Sequence, residues 1–117
     1  MTRGKVVLVP FPFDNLSTNK VRPAVCLTDP IGSYGHIILA FISSQTSTDS
    51  LESDLLINSE EADFTETGLR VTSTLCLHRL MTVTSSIIRR ELGVLSPRLQ
   101  LALSEKLRQL FGLTKPV

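Results

Sequence analysis

Arg22 stands beside Pro23 in the stretch STNKVRPAVCLT, where a polar loop gives way to an apolar run. The guanidinium is planar and permanently charged, and it can fork two N–H groups onto a carboxylate or a phosphate. The proline has no N–H for a sheet ladder and is tolerated where a strand begins. The pair therefore either just starts a strand or holds a charge on rigid backbone at a site. His78, in LHRL, adds an imidazole, a side chain able to pass a proton. His36 begins an apolar run after a turn and reads as structural or solvated. No Cys or His spacing has the pattern of a metal site. Cys26 and Cys76 lie inside apolar runs and read as core residues.

The net charge is +1, which by itself makes no case for a polyanionic partner. The distribution says more. No lysine or arginine lies between Arg22 and Arg70, and that interval holds eight of the eleven acids. If the fold brings NKVR beside LHRL or IIRR, a local positive site forms on a near-neutral protein. The alternative is a solvated surface.

The elements that must position these groups follow from pattern. The chain has 117 residues, 42% hydrophobic and 20% charged, which suits one globular domain over residues 1–117. No apolar run reaches the roughly 20 residues of a membrane span, and the N-terminal run is broken by Pro10 and Pro12, so a cytoplasmic protein is expected. KVVLVPFPF, RPAVCLTD, HIILAFISS, DLLIN and STLCLHRLMTV read as strands, the third apolar enough to be covered on both faces. Regular alternation in the fifth sends His78 and Arg79 to opposite faces. SEEADFTETG can hold one helical turn capped by Ser59, and TSSIIRRELG reads as a short helix stopped by Gly93. The clearest helix starts at Ser96 and Pro97 and carries Leu99, Ala102, Leu103, Leu107, Leu110 and Phe111 as one apolar stripe up to Gly112. Strands followed by a helix predict a small, mainly antiparallel sheet or barrel with a helix packed on it.

Four ordered segments, RGKVVLVPFPF, NKVRPAVCLT, AFISSQ and GLRVTSTLCLHRLMTV, together with the helical end, resemble the MazF/PemK family of toxins from toxin–antitoxin pairs, nearest its PemK-like branch. The resemblance covers nearly the whole chain. It implies a compact SH3-like β-barrel with a C-terminal helix, acting as a homodimer. It also implies an endoribonuclease that cuts single-stranded RNA at preferred sequences without a metal or other cofactor, silenced by a partner antitoxin.

Carried over by position, the family's catalytic arginine falls on Arg22, and its catalytic hydroxyl, usually threonine, falls on Ser43. Ser44 is the alternative bearer if the strand register slips by one. Lys5 follows Gly4 where the family usually has Gly-Asp. The implied chemistry uses the ribose 2′-OH as nucleophile and leaves a 2′,3′-cyclic phosphate and a 5′-OH. Arg22 suits the phosphate, and Ser43 can hold a phosphate oxygen or the 2′-OH. Lys20 can meet a phosphate as a point charge, Gln45 can read a base edge, and His78 can contact substrate or transfer a proton. For Lys20 and Gln45 the competing reading is ordinary loop surface, and for His78 a strand histidine satisfied by ordinary polar contacts. Arg79, Arg89 and Arg90 read as solvated or dimer-surface residues. With no tryptophan, one tyrosine and five phenylalanines, extensive base stacking is not expected, and Phe11, Phe13 or Tyr34 is expected to contribute at most one stacked base. Two alternatives stay open: a non-catalytic SH3-like module that still binds its partner, and a CcdB-like gyrase poison. Against the second, the chain has no tryptophan.

Overall fold

The computed structural model describes residues 2–10, 20–44 and 50–113. Strands β1 (Lys5–Pro10), β2 (Val21–Cys26), β3 (His36–Ser43), β4 (Asp54–Ile57), β5 (Ser73–Thr84) and β6 (Arg90–Val94) are followed by helix α1 (Pro97–Leu110). The strands form one antiparallel sheet in the order β4-β5-β3-β2-β1-β6. The sheet curls into a half-barrel, so the expected mainly-β barrel with a C-terminal helix is the fold observed.

The apolar runs divide between two faces with the period of a strand. Val6, Val25, Ala40 and Ile42 point inward with Leu75 and Leu77, where Leu99 and Leu103 of α1 join them. Val7, Val9, Ala24, Cys26, Leu39 and Phe41 form a second cluster on the other face, with Ile87 and Ile88 packed against it. Burying Leu99 and Leu103 contributes about 2–3 kcal/mol each, so the helix is held by its side chains more than by its propensity. The apolar stripe stops short of the helix end: Leu110 and Phe111 are exposed.

Three local expectations are corrected. TSSIIRRELG is not a helix. It makes a 3₁₀ turn at Ser85–Ile87 and then the edge strand β6, paired with β1. β-Branched Ile88 is extended directly after the turn, and a strand edge was there to be paired. Gly93 is required not as a helix stop but by close approach, since a Cβ there would lie 2.2 Å from the Glu66 carbonyl oxygen. The helical turn of the acidic segment falls at Phe64–Thr67, after Asp63 rather than Ser59, and Gly68 closes it in the left-handed region at φ 73°. Finally, β5 is not regular. Phe41 pairs with Cys76 but Ala40 pairs with Leu80, so Leu77, His78 and Arg79 are unpaired across a bulge.

The Phe64–Thr67 turn reaches from the end of β4 across to β6 and closes the open side of the curl. A Cβ on Gly68 would come 2.1 Å from the Leu92 carbonyl oxygen, so the two backbones touch with no room for side chains. Leu92 itself is the extra residue of a bulge in β6, between the pairs Val6↔Gly93 and Val7↔Glu91. Asp63 fixes the same turn to α1. Its carboxylate accepts from Ser96 Oγ at 2.6 Å and from Arg98 Nε and Nη2 at 2.9 Å. Ser96 Oγ in turn accepts from the Leu99 N–H, as the expected N-cap. The Arg98 guanidinium, then the Ser96 hydroxyl, pull the Asp63 carboxyl down to about 2.

Candidate functional site

The backbone pairing of β2 with β3 ends at Ala24↔Phe41. Carried two residues further, the same register sets Arg22 opposite Ser43, on one face of the sheet. Beyond the last pair the strands part, and a groove of about 550 Å³ opens between them and the segment that follows the 3₁₀ turn. Arg22, Pro23, Phe41, Ser43 and Ser44 line one wall, and Gly68, Leu69, Arg70 and Val71 line another. Arg79 and Leu92, each from a bulge, and Arg90, from the start of β6, also line it.

Each position has a local cause. Pro23 pairs with Leu8 of β1, and Arg22 pairs with Val9, so the arginine's backbone is tied to a strand whose Val9 is fully buried. Ser43 ends β3, directly after buried Phe41 and Ile42. The groove thus sits where two strands leave the core, on backbone that cannot easily shift.

Its electrostatics are one-sided. Four arginines line it: Arg22, Arg70, Arg79 and Arg90. No aspartate or glutamate among the described residues does so. The ion pairs among the described residues lie elsewhere, at Lys5–Glu91, Asp63–Arg98 and Glu105–Arg108. Four guanidinium groups converging without a carboxylate make a receptor for an anion with several charges. The condition set by the sequence, NKVR beside LHRL and IIRR, is met through Arg22, Arg79 and Arg90.

The sequence-predicted residues are brought together in part. Arg22, Ser43 and Ser44 share the groove. Lys20 is exposed just before β2, and His78 is exposed on the bulge but does not line the groove. Gln45, Phe11 and Phe13 lie outside the described residues. Tyr34 is 78% exposed in the turn before β3, away from the groove. Lys5 pairs with Glu91 across β1 and β6 at 2.9 Å and adds no free charge to the groove. Arg79 and Arg90, expected on the general surface, and Arg70, assigned no role, are groove residues. Their only trace in the sequence is the clustering of basic residues at its two ends.

Fold and groove define a class: a small curled antiparallel barrel, closed by a helix, with a cationic groove where its central strands part. Residues 2–111 match the family described as PemK-like, MazF-like toxins of type II toxin–antitoxin systems, and the chain belongs to that family. Solved structures share the architecture. A mycobacterial endoribonuclease in complex with its cognate antitoxin superposes with a TM-score of 0.72 at 13% identity, covering 99% of each chain. The Mycobacterium tuberculosis toxin MazF-mt6 gives 0.70 at 18% identity, over 95% of this chain and 99% of its own. A further mycobacterial endoribonuclease gives 0.69 at 12% identity, over 99% of this chain and 95% of its own. No protein of curated function matches the sequence.

Proposed function

We propose that this toxin is a metal-independent endoribonuclease that cuts single-stranded RNA, with its site at the Arg22–Ser43 end of the groove. The observation that carries the reading is the register that sets Arg22 opposite Ser43 where β2 and β3 part. Family membership supports it, with Arg22 read as the family's catalytic arginine and Ser43 as standing where its usual threonine falls. Arg22 forks onto the scissile phosphate and stabilises the dianionic, five-coordinate state. Ser43 orients a phosphate oxygen or the 2′-OH by hydrogen bond. Attack by the 2′-OH on phosphorus expels the 5′-oxygen and leaves a 2′,3′-cyclic phosphate and a 5′-OH. Serine keeps the hydroxyl of the usual threonine but loses its methyl and its χ1 stiffness.

The protein acts as a cytoplasmic homodimer, and an antitoxin silences it by filling the groove. Four arginines with no ion-pair partner among the described residues suit an acidic segment as well as RNA. The test is to treat a mixed RNA pool in EDTA and sequence the new 5′-OH ends, with Arg22→Ala as control. Cuts at a shared short sequence, absent with a folded Arg22→Ala protein, are expected. Undiminished cutting by that variant overturns the site. Antitoxin binding with no cutting of any RNA selects a non-catalytic partner-binding module instead.

A further inference from the structure

Arg79 occupies a stretch of β5 that has lost its partner on β3. Leu77, His78 and Arg79 fill the bulge between Phe41↔Cys76 and Ala40↔Leu80. A bulge bends its strand and re-aims a side chain. Here the re-aimed guanidinium rests with Cζ 5.9 Å from the centre of the Phe41 ring. Phe41 lines the groove but is only 6% exposed, so the ring is mostly a fixed backing. Arg79 is exposed, lines the groove and has no ion-pair partner among the described residues. With the ring near it and no ion-pair partner among the described residues, the guanidinium is placed to meet whatever the groove holds.

The position is as informative as the contact. Phe41 and Ser43 are same-face neighbours on β3, so the ring that backs Arg79 stands one same-face step, about 7 Å, along from Ser43. That step is comparable with the spacing of successive nucleotides in an extended strand. Arg22, Arg70 and Arg90 already supply charge for the phosphates. A guanidinium that is planar, weakly hydrated and backed by an aromatic ring is suited to a flat partner. Unstacked bases of single-stranded RNA find such partners in arginine planes as well as in aromatic rings.

We propose that Arg79 is a base-stacking residue, whose Phe41-backed guanidinium carries the nucleobase beside the phosphate held at Arg22 and Ser43. The proposal rests on the RNA reading above and adds a nucleobase contact to it. The test measures binding of short mixed-sequence 2′-fluoro oligoribonucleotides, which lack the nucleophile and stay intact. Matched oligomers carry one abasic site at each position in turn. Wild-type protein is compared with Arg79→Lys, with thermal melting to confirm the fold of the variant.

Wild-type affinity is expected to drop about tenfold at one abasic position. Arg79→Lys keeps the charge but loses the plane, so it should bind the intact oligomer about tenfold more weakly and be insensitive to that abasic position. Lysine binding like wild type, or losing affinity equally for intact and abasic oligomers at every position, overturns the stacking role while leaving the RNA reading in place. An abasic scan of wild-type protein that finds no sensitive position overturns it even if the variant melts early. Failure of wild-type protein to bind any of the oligomers overturns both.

Discussion

The two walls of the groove are held by different means. The β2–β3 wall stands on strands whose apolar residues are locked into the core on both faces, with Ala24, Val25 and Cys26 fully buried. The wall from Gly68 to Val71 has little core of its own. It is held by backbone touching backbone at Gly68 and Gly93, and by the Asp63 clasp to Ser96 and Arg98. One wall is secured by burial, the other by a few specific contacts. The first is suited to hold a reacting group still, and the second to be tuned or dislodged without unfolding the sheet.

The largest effect should come from the buried wall. Arg22→Ala removes a charged group from a strand start without disturbing the core. RNA cleavage should fall about 100-fold or more, while melting temperature and far-UV spectrum hold. A folded variant with near-normal cleavage would mean that the chemistry sits elsewhere in the groove. Next comes the closure of the other wall. Gly93→Ala must push its Cβ away from the Glu66 carbonyl, so β6 and the 3₁₀ turn have to separate. A loss of about 3 kcal/mol in denaturant unfolding is expected, with cleavage falling further than stability alone explains. An unchanged unfolding midpoint would show that the two backbones are free to move apart.

Asp63→Asn should act more mildly. It breaks the clasp and leaves both clusters of the core intact, so the protein should remain folded at neutral pH with a lower melting temperature. Its pH dependence sharpens the comparison. The Asp63 carboxyl sits at about 2 in the folded protein against an ordinary value of 3.8, so the stability it confers is present above about pH 4. That stability is lost as the pH falls from there toward 2. Wild-type protein should lose more stability over that window than Asp63→Asn, measured by unfolding midpoints at each pH. Parallel curves would remove Asp63 from the account. The smallest change is Ser43→Thr, which supplies the residue that the proposed alignment with the family expects there. Fixing χ1 should raise cleavage by a few-fold and leave stability within about 0.5 kcal/mol.

The same contrast explains what the sequence reveals. The buried wall was legible because its cause is local. Alternating apolar residues in VRPAVCLT and HIILAFISS predict strands, and the ordered motifs carry the positions of Arg22 and Ser43. The C-terminal helix was legible from Ser96, Pro97 and its stripe for the same reason. The other wall was not, because its causes are distant in sequence. Gly93 reads as a helix stop until Glu66 and Thr67 are seen against it. Arg90 reads as helix surface until β1 supplies an edge for β6 to pair with. The groove position of Arg79 stays hidden because period-2 reasoning assumes an unbroken ladder, and a bulge leaves no clear mark in LHRL.

Cys26 gives the buried wall an internal witness. It lies on β2 a short way from Arg22, is fully buried, and burial pushes its thiol up to about 11. At neutral pH it is neither ionised nor reachable while that strand stays in place. Cys76, across the sheet on β5, is only partly covered. Timed alkylation therefore reads two clocks in one molecule. Labelling at Cys76 follows local opening at the bulged strand, and labelling at Cys26 follows only those rarer events that free the strand carrying Arg22.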